Sequence, residues 1–292
     1  MTIGVAWIRQ GNREAEELLV ATDSRLGGDG YIWDECPKIT PLPRRDALAA
    51  FSGSTAQAYP LLLQIANAIR AYRPAEDGTL EFFEVIGHLE RVANTMMGTL
   101  VVDPALRGPH TVGRQFATSG DVVIVGGYSR RRAKVVLRAL QFDGAAAWRF
   151  ARVRGAPSVG GRTMRVFGDN RSRSRFRFVL RSLLEERGLL RRQGHFSFEP
   201  LEALATMLRL PASAEIRLPL DRRPASTGGA PQVVRIIPGA QATAFVVRWE
   251  EPNGTNDYLF GRRTFEYEHV DLPLIRFSGQ GITLDAPGQW DP

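Results

Sequence analysis

The chain has Val-Ala-Thr-Asp-Ser-Arg at 20–25, Pro-Lys-Ile at 37–39 and Ala-Phe-Ser-Gly-Ser-Thr-Ala at 50–56, and these stretches determine the predicted fold. A hydroxyl residue, Thr2, directly follows Met1. The four pieces supply a hydroxyl near the start of the chain, a carboxylate, a lysine and a glycine turn. An amidase whose first residue is the nucleophile needs these groups.

Lysine is rare in this chain. Only Lys38 and Lys134 occur among the 38 basic residues, and the others are arginines. An ammonium can shift its pKa and approach a nucleophile, whereas a guanidinium does not lose its proton. Lys134 lies in an apolar run typical of a strand. We therefore take Lys38 as the lysine with a chemical role.

The order of predicted elements indicates an α+β protein. Helices occur in pairs between groups of strands, which favours antiparallel sheets covered by helix pairs over a doubly wound parallel sheet. Strands are predicted at 3–9, 17–22, 47–52, 122–127, 133–141, 147–152, 162–167, 233–237 and 242–249, and helices at about 55–72, 79–98, 172–187 and 198–209.

The N-terminal stretches resemble the start of a proteasome β-type subunit, a group that includes the bacterial proteasome-like peptidases within the N-terminal-nucleophile hydrolases. The matching positions are Thr2, Asp23-Ser24-Arg25, Lys38-Ile39 and Gly53. Later turns that also resemble the family are Val125-Gly126-Gly127-Tyr128, Phe142-Asp143-Gly144 and Ser226-Thr227-Gly228-Gly229.

The resemblance implies a four-layer αββα sandwich, in which two antiparallel sheets lie between helix pairs. It covers residues 1–250, and residues 251–292 would form a loop-rich C-terminal extension. It also implies a homo-oligomer in the form of a ring, which acts on a peptide or protein substrate without a cofactor. The expected activity is threonine-type hydrolysis of peptide or other amide bonds.

The expected chemistry assigns one role to each matched residue. The free amine of an N-terminal threonine has a pKa near 8, so the amine of Thr2 can accept the hydroxyl proton. The Lys38 ammonium would favour the alkoxide, and Asp23 would hold Lys38 in place. The backbone N–H of Gly53 would face the developing oxyanion. Residues expected to support this site are Ser24, Arg25, Asp169 and Thr227.

Three positions depart from the family pattern. Ile3 follows the nucleophile where the family has a second Thr, Asp169 replaces a serine, and Pro224 stands where an aspartate is expected. A catalytically silent protein of the same fold, acting as an oligomeric scaffold or interaction module, is therefore the alternative. The individual residues also have ordinary structural interpretations, in which Asp23 and Arg25 form an ion pair at a strand end and Lys38 is a solvated turn residue.

The composition of the chain excludes several classes of protein. The chain has 292 residues, 43% of them hydrophobic, with no apolar run long enough for a membrane helix and no secretory signal. A single cysteine, Cys36, excludes a disulfide framework within one chain, so we expect a cytoplasmic protein. The four histidines lack metal-site spacing, and no metal is predicted. The net charge of +7 comes mostly from dispersed arginines, including a predicted helix face at 171–191, which makes a nucleic-acid partner the least favoured hypothesis.

Overall fold

The computed structural model describes residues 2–11, 15–28, 31–53, 55–99, 123–142, 147–153, 162–191, 194–209, 227–268, 270–278 and 281–287. Over these ranges the protein is α+β with several antiparallel sheets, so the coarse fold class is confirmed. No helix in the described ranges has both the length and the apolar character to cross a membrane. The helices are α1 (Thr55–Arg70), α2 (Arg73–Glu76), α3 (Phe82–Gly98), α4 (Asn170–Glu186) and α5 (Glu199–Arg209).

The strands follow the predicted order, with several short additions. They are β1 (Ile3–Gln10), β2 (Glu16–Thr22), β3 (Leu26–Gly28), β4 (Tyr31–Trp33), β5 (Ile39–Pro41), β6 (Ala47–Phe51), β7 (Val123–Ser129), β8 (Lys134–Phe142), β9 (Trp148–Arg152), β10 (Met164–Gly168), β11 (Gln232–Ile236), β12 (Thr243–Ala244), β13 (Val246–Glu251), β14 (Gly254–Leu259), β15 (Arg262–Arg263), β16 (Leu274–Ser278) and β17 (Gly281–Asp285). The sequence did not predict β3, β4, β5, the one-turn helix α2 or the four C-terminal strands β14 to β17.

Two five-stranded sheets are antiparallel throughout. The N-terminal sheet has the order β10-β1-β2-β11-β12, and the middle sheet has the order β5-β6-β7-β8-β9. In the N-terminal sheet, β1 pairs with β2 through Gly4 opposite Thr22, and β2 pairs with β11 through Thr22 opposite Gln232. This register brings the start of β1, the end of β2 and the start of β11 to one end of the sheet.

The inner strands of the two sheets, β1, β2, β6, β7 and β11, are mostly buried on both faces, which explains their nearly continuous apolar sequences. The edge strands β5 and β9 are partly exposed. In β1, Ile3, Val5 and Trp7 pack with α4 and α5, whereas Ala6 points to a core shared with the middle sheet. Middle-sheet residues divide in the same way between α1 and α3 on one side and that shared core on the other, which contains Leu18, Val20, Leu48, Ala50 and Ile124. Alternation with a period of two therefore places each strand against two different partners.

The segment after residue 250 is rich in strands, and the prediction of a loop-rich extension is wrong. A C-terminal sheet has the order β15-β14-β13-β16-β17, in which β13 and β16 are parallel and the other neighbours are antiparallel. The chain crosses position 250 inside β13, and Trp249 and Tyr258 of this sheet share a small core with Ala205 of α5.

Candidate functional site

The candidate site lies at the end of the N-terminal sheet where β1 begins and β2 ends. Thr2 immediately precedes β1, and Asp23 immediately follows β2. The Asp23 N–H donates to the Ile3 carbonyl oxygen at 3.1 Å, which extends the ladder by one step. The β1–β2 hairpin alone therefore places Thr2 beside Asp23.

The Asp23 carboxylate connects three segments of the chain. Its Oδ1 accepts a hydrogen bond from the backbone N–H of Ile3 at 3.1 Å and from the Lys38 ammonium at 2.7 Å. Its Oδ2 accepts from the backbone N–H of Gly228 at 3.2 Å. Because Oδ1 bonds both groups, the Lys38 ammonium lies next to the peptide bond that joins Thr2 to Ile3.

The Lys38–Asp23 ion pair is completely buried, with both side chains at 0% exposure, and Thr2 is 2% exposed. The alternative in which Lys38 is a solvated turn residue is therefore wrong. Arg25 does not pair with Asp23; its guanidinium forms a bidentate ion pair with Asp34, at 2.5 and 2.7 Å.

Burial dominates the electrostatics of this pair. Removal from water lowers the pKa of Lys38, although the Asp23 carboxylate opposes the change. Burial likewise raises the pKa of Asp23, against the opposing effects of Lys38 and the N–H groups of Ile3 and Gly228. The Lys38 ammonium therefore loses its proton more easily than the ammonium of an exposed lysine.

Gln232, at the start of β11, positions the segment that carries Lys38. Its Oε1 accepts from the Lys38 backbone N–H at 2.9 Å, and its Nε2 donates to the carbonyl oxygen of Cys36 at 2.7 Å. On the other side, the Phe51 N–H donates to the Lys38 carbonyl oxygen at 3.1 Å. Sequence analysis missed Gln232, because a single glutamine before an apolar strand carries no recognisable signal.

The turn between β10 and α4 fixes the backbone of Thr2. The Asp169 N–H donates to the Thr2 carbonyl oxygen at 3.2 Å. Gly168 has a φ of +129°, and a Cβ at this position would collide with the same carbonyl oxygen. Asp169 also caps α4, since its Oδ1 accepts from the N–H of Ser172 at 2.9 Å. Asp169 thus contacts Thr2 through its backbone N–H, whereas its carboxylate caps the helix.

Gly53 lies two residues beyond Phe51, at the end of β6 nearest Lys38. Its φ is +99°, a conformation that favours glycine, and a Cβ there would meet no atom within 4 Å. The residue is exposed. The structure thus places Gly53 at the same end of the sheets as Lys38. The contacts among the other three residues are direct, because Asp23 bonds both Lys38 and the amide that follows Thr2.

The other residues expected to support the site, Ser24, Arg25 and Thr227, lie at this end of β2 and in the turn before β11. Ser24 Oγ donates to the Ala230 carbonyl oxygen, and the N–H groups of Ser24 and Arg25 both donate to the Gly228 carbonyl oxygen, at 3.1 and 3.0 Å. Thr227 is buried in the same turn. This double connection holds Gly228 where its own N–H reaches Asp23.

Several positions quoted in the sequence analysis lie outside the described residues: Met1, Ser54, Asp143-Gly144, Pro224 and Ser226. Cys36 is buried, and burial raises the pKa of its thiol, so that the side chain stays protonated and inert at neutral pH.

Comparison with known proteins finds no matching family model and no matching curated protein. Functional inference therefore depends on the geometry of the chain itself.

Proposed function

We propose that this chain has the four-layer αββα fold of the N-terminal-nucleophile hydrolases, as its resemblance to proteasome β-type subunits implies. The packing of β7 supports the layer order. A Cβ on Gly126 would collide with Leu18 of the N-terminal sheet, and a Cβ on the next residue, Gly127, would collide with Phe82 of α3. Strand β7 therefore lies between the other sheet and a helix.

We further propose that the protein is an N-terminal threonine hydrolase that cleaves peptide or other amide bonds. The observation that carries this proposal is the fully buried Lys38–Asp23 pair, whose shared Oδ1 also bonds the amide directly after Thr2. A solvent-free ion pair is a weak source of stability, because desolvation offsets most of its Coulombic attraction. Its position beside a hydroxyl residue favours a catalytic use.

The reaction proceeds by acyl transfer once removal of Met1 frees the Thr2 amine. Thr2 Oγ1 attacks the substrate carbonyl carbon, and its proton passes to the α-amine. The Lys38 ammonium stabilises the alkoxide and disfavours a second positive charge on the amine. The Gly53 N–H binds the oxyanion, the leaving amine takes the proton from the α-ammonium, and water then hydrolyses the ester.

The second candidate is a catalytically silent scaffold with the same fold, and two observations favour it. Thr2 is nearly enclosed at 2% exposure. Asp169, where the family has a serine, uses its carboxylate to cap α4. We propose for either candidate a cytoplasmic homo-oligomer in the form of a ring, since the family packs helix layers between subunits and this chain carries two helix pairs, α1 with α3 and α4 with α5.

The test is an amide-hydrolysis assay against a broad peptide library, with the mature N-terminus verified by intact mass. We expect Thr2→Ala and Lys38→Arg to abolish cleavage, because the first removes the nucleophile and the second replaces a titratable ammonium with a guanidinium. Lys134→Arg is the matched control, since Lys134 is the other lysine and is exposed. It should leave the rate unchanged.

Circular dichroism and size-exclusion chromatography of each variant separate lost catalysis from lost folding. Wild-type protein that starts at Thr2 and cleaves no member of the library would replace the hydrolase with the scaffold. Cleavage that survives Thr2→Ala would place the activity elsewhere in the molecule.

A further inference from the structure

A cavity lies at the opposite end of the sheets from Thr2. It has a volume of about 230 Å³ and is bordered by Ile8, Glu16, Phe83, Val153 and Thr163 together with Arg132, Arg152 and residues 134–138. Ile8 is six residues along β1 from Thr2, which corresponds to roughly 20 Å of strand. This cavity is therefore separate from the candidate active site.

Four cations line this cavity: Arg132, Lys134, Arg138 and Arg152. Within the described part of the chain, none of the four forms an ion pair with a carboxylate. Glu16 also borders the cavity and is the acidic member of its lining. The lining thus has an excess of positive charge.

The cations are also placed against one another. Arg138 of β8 lies directly opposite Arg152 of β9 in the antiparallel register. Like charges in directly opposed positions destabilise a sheet. Arg138 is partly buried, and burial together with the neighbouring Arg152 and Arg132 lowers its pKa. An anion in the cavity would relieve this repulsion.

Phe83 of α3 holds two of the guanidinium groups in place. The Cζ atom of Arg132 lies 4.1 Å from the centre of the Phe83 ring, and that of Arg138 lies 5.0 Å from it. Cation–π contacts of this kind restrict the guanidiniums before any ligand arrives. Because Phe83 is occupied in this way, it does not offer a free ring for base stacking, which argues against single-stranded nucleic acid as the ligand.

We propose that this cavity binds a small phosphate-bearing anion, of the size of inorganic phosphate or pyrophosphate. Guanidinium groups match the oxygens of phosphate in bidentate geometry, and three of them around one small cavity suit a multivalent anion. The volume of about 230 Å³ admits an ion of this size, and the exposed side chains of Arg132, Lys134 and Arg152 leave the cavity open to solvent at its rim.

The test is isothermal titration of the full chain with sodium pyrophosphate at constant ionic strength, with sodium chloride as the balancing salt. We expect saturable binding that Arg138→Gln and Arg152→Gln each weaken by about tenfold or more, because each removes a charged hydrogen-bond donor. Arg177→Gln is the matched control. It removes the same charge from the exposed face of α4, and binding should stay within about twofold of wild type.

Parallel titrations with succinate and with a single-stranded oligonucleotide define the ligand class. Absence of saturable pyrophosphate binding, or equal weakening by Arg177→Gln, would overturn the proposal. Succinate binding as tight as pyrophosphate binding would overturn the phosphate assignment, and tighter oligonucleotide binding that needs Arg138 would identify a nucleic-acid surface instead. Should Arg138→Gln fail to fold, Arg152→Gln provides the same comparison.

Discussion

Replacing Lys38 with methionine removes the cation from a fully buried ion pair and leaves the Asp23 carboxylate behind. Removing one partner of a buried pair destabilises a protein by about 3–5 kcal/mol. Two backbone N–H groups, from Ile3 and Gly228, still donate to the carboxylate. We therefore expect the lower part of that range at pH 7, about 3–4 kcal/mol, which lowers the unfolding midpoint by roughly 6–8 °C in a chain of this size.

The assay is urea and thermal unfolding, followed by far-ultraviolet circular dichroism. Lys134→Met is the control, because Lys134 is exposed and its loss should change the free energy of unfolding by less than about 0.5 kcal/mol. The double variant Lys38→Met/Asp23→Asn removes both charges and keeps an oxygen that can accept from Ile3. It should be more stable than Lys38→Met alone by about 1 kcal/mol or more.

The pH dependence gives an independent check. Without the ammonium, the buried Asp23 has a pKa raised further above its ordinary value. Between the unfolded and folded pKa values the folded chain holds more protons than the unfolded chain, so stability falls as the pH rises. The loss in the free energy of unfolding that Lys38→Met causes should become smaller as the pH is lowered from 7 to 5. Equal losses in Lys38→Met and Lys134→Met, or a double variant less stable than Lys38→Met, would refute the reasoning.

Three further predictions concern other parts of the fold. Gly168→Ala should displace the Thr2 backbone and destabilise the protein by about 1–3 kcal/mol in urea unfolding, whereas Gly188→Ala, at a φ of +65° with open space around it, should cost less; equal costs would argue against the close packing on Thr2. Burial raises the pKa of Tyr59 to about 12, so that stability should fall as the pH rises from about 10 towards 12. Ultraviolet difference titration of Tyr59→Phe against wild type measures this group, and a pKa near 10 would contradict its burial. Light scattering should show a homo-oligomer, and a particle of 32.4 kDa, the mass of one chain, would contradict the proposed assembly.

The sequence was sufficient for the parts of the site that depend on local pairing. A hairpin between two apolar runs of similar length places Thr2 beside Asp23, because the register follows from the strands themselves. The position of Lys38 next to both residues was predictable only from the resemblance. Its segment is held by Gln232, which is 194 residues away in sequence and has no local signal.

The C-terminal sheet was missed for a different reason. Strands β14 to β17 are short and mostly half-exposed, so that their sequences lack a strong apolar alternation. In addition to the backbone ladder, ion pairs between charged side chains join neighbouring strands of this sheet. Arg248 lies opposite Asp257 in the β13–β14 register, with a bidentate ion pair at 2.8 Å. Such pairs become visible only when the partner strand is known.

The most direct test of the hydrolase proposal is mass spectrometry of the wild-type chain after treatment with a β-lactone or epoxyketone probe. The proposed mechanism predicts a chain that begins at Thr2 and carries one covalent adduct, which peptide mapping places on Thr2, and no adduct in Lys38→Arg. A chain that quantitatively retains Met1, or one that starts at Thr2 and remains unlabelled, would contradict the proposal that Thr2 is a nucleophile activated beside the Lys38–Asp23 pair.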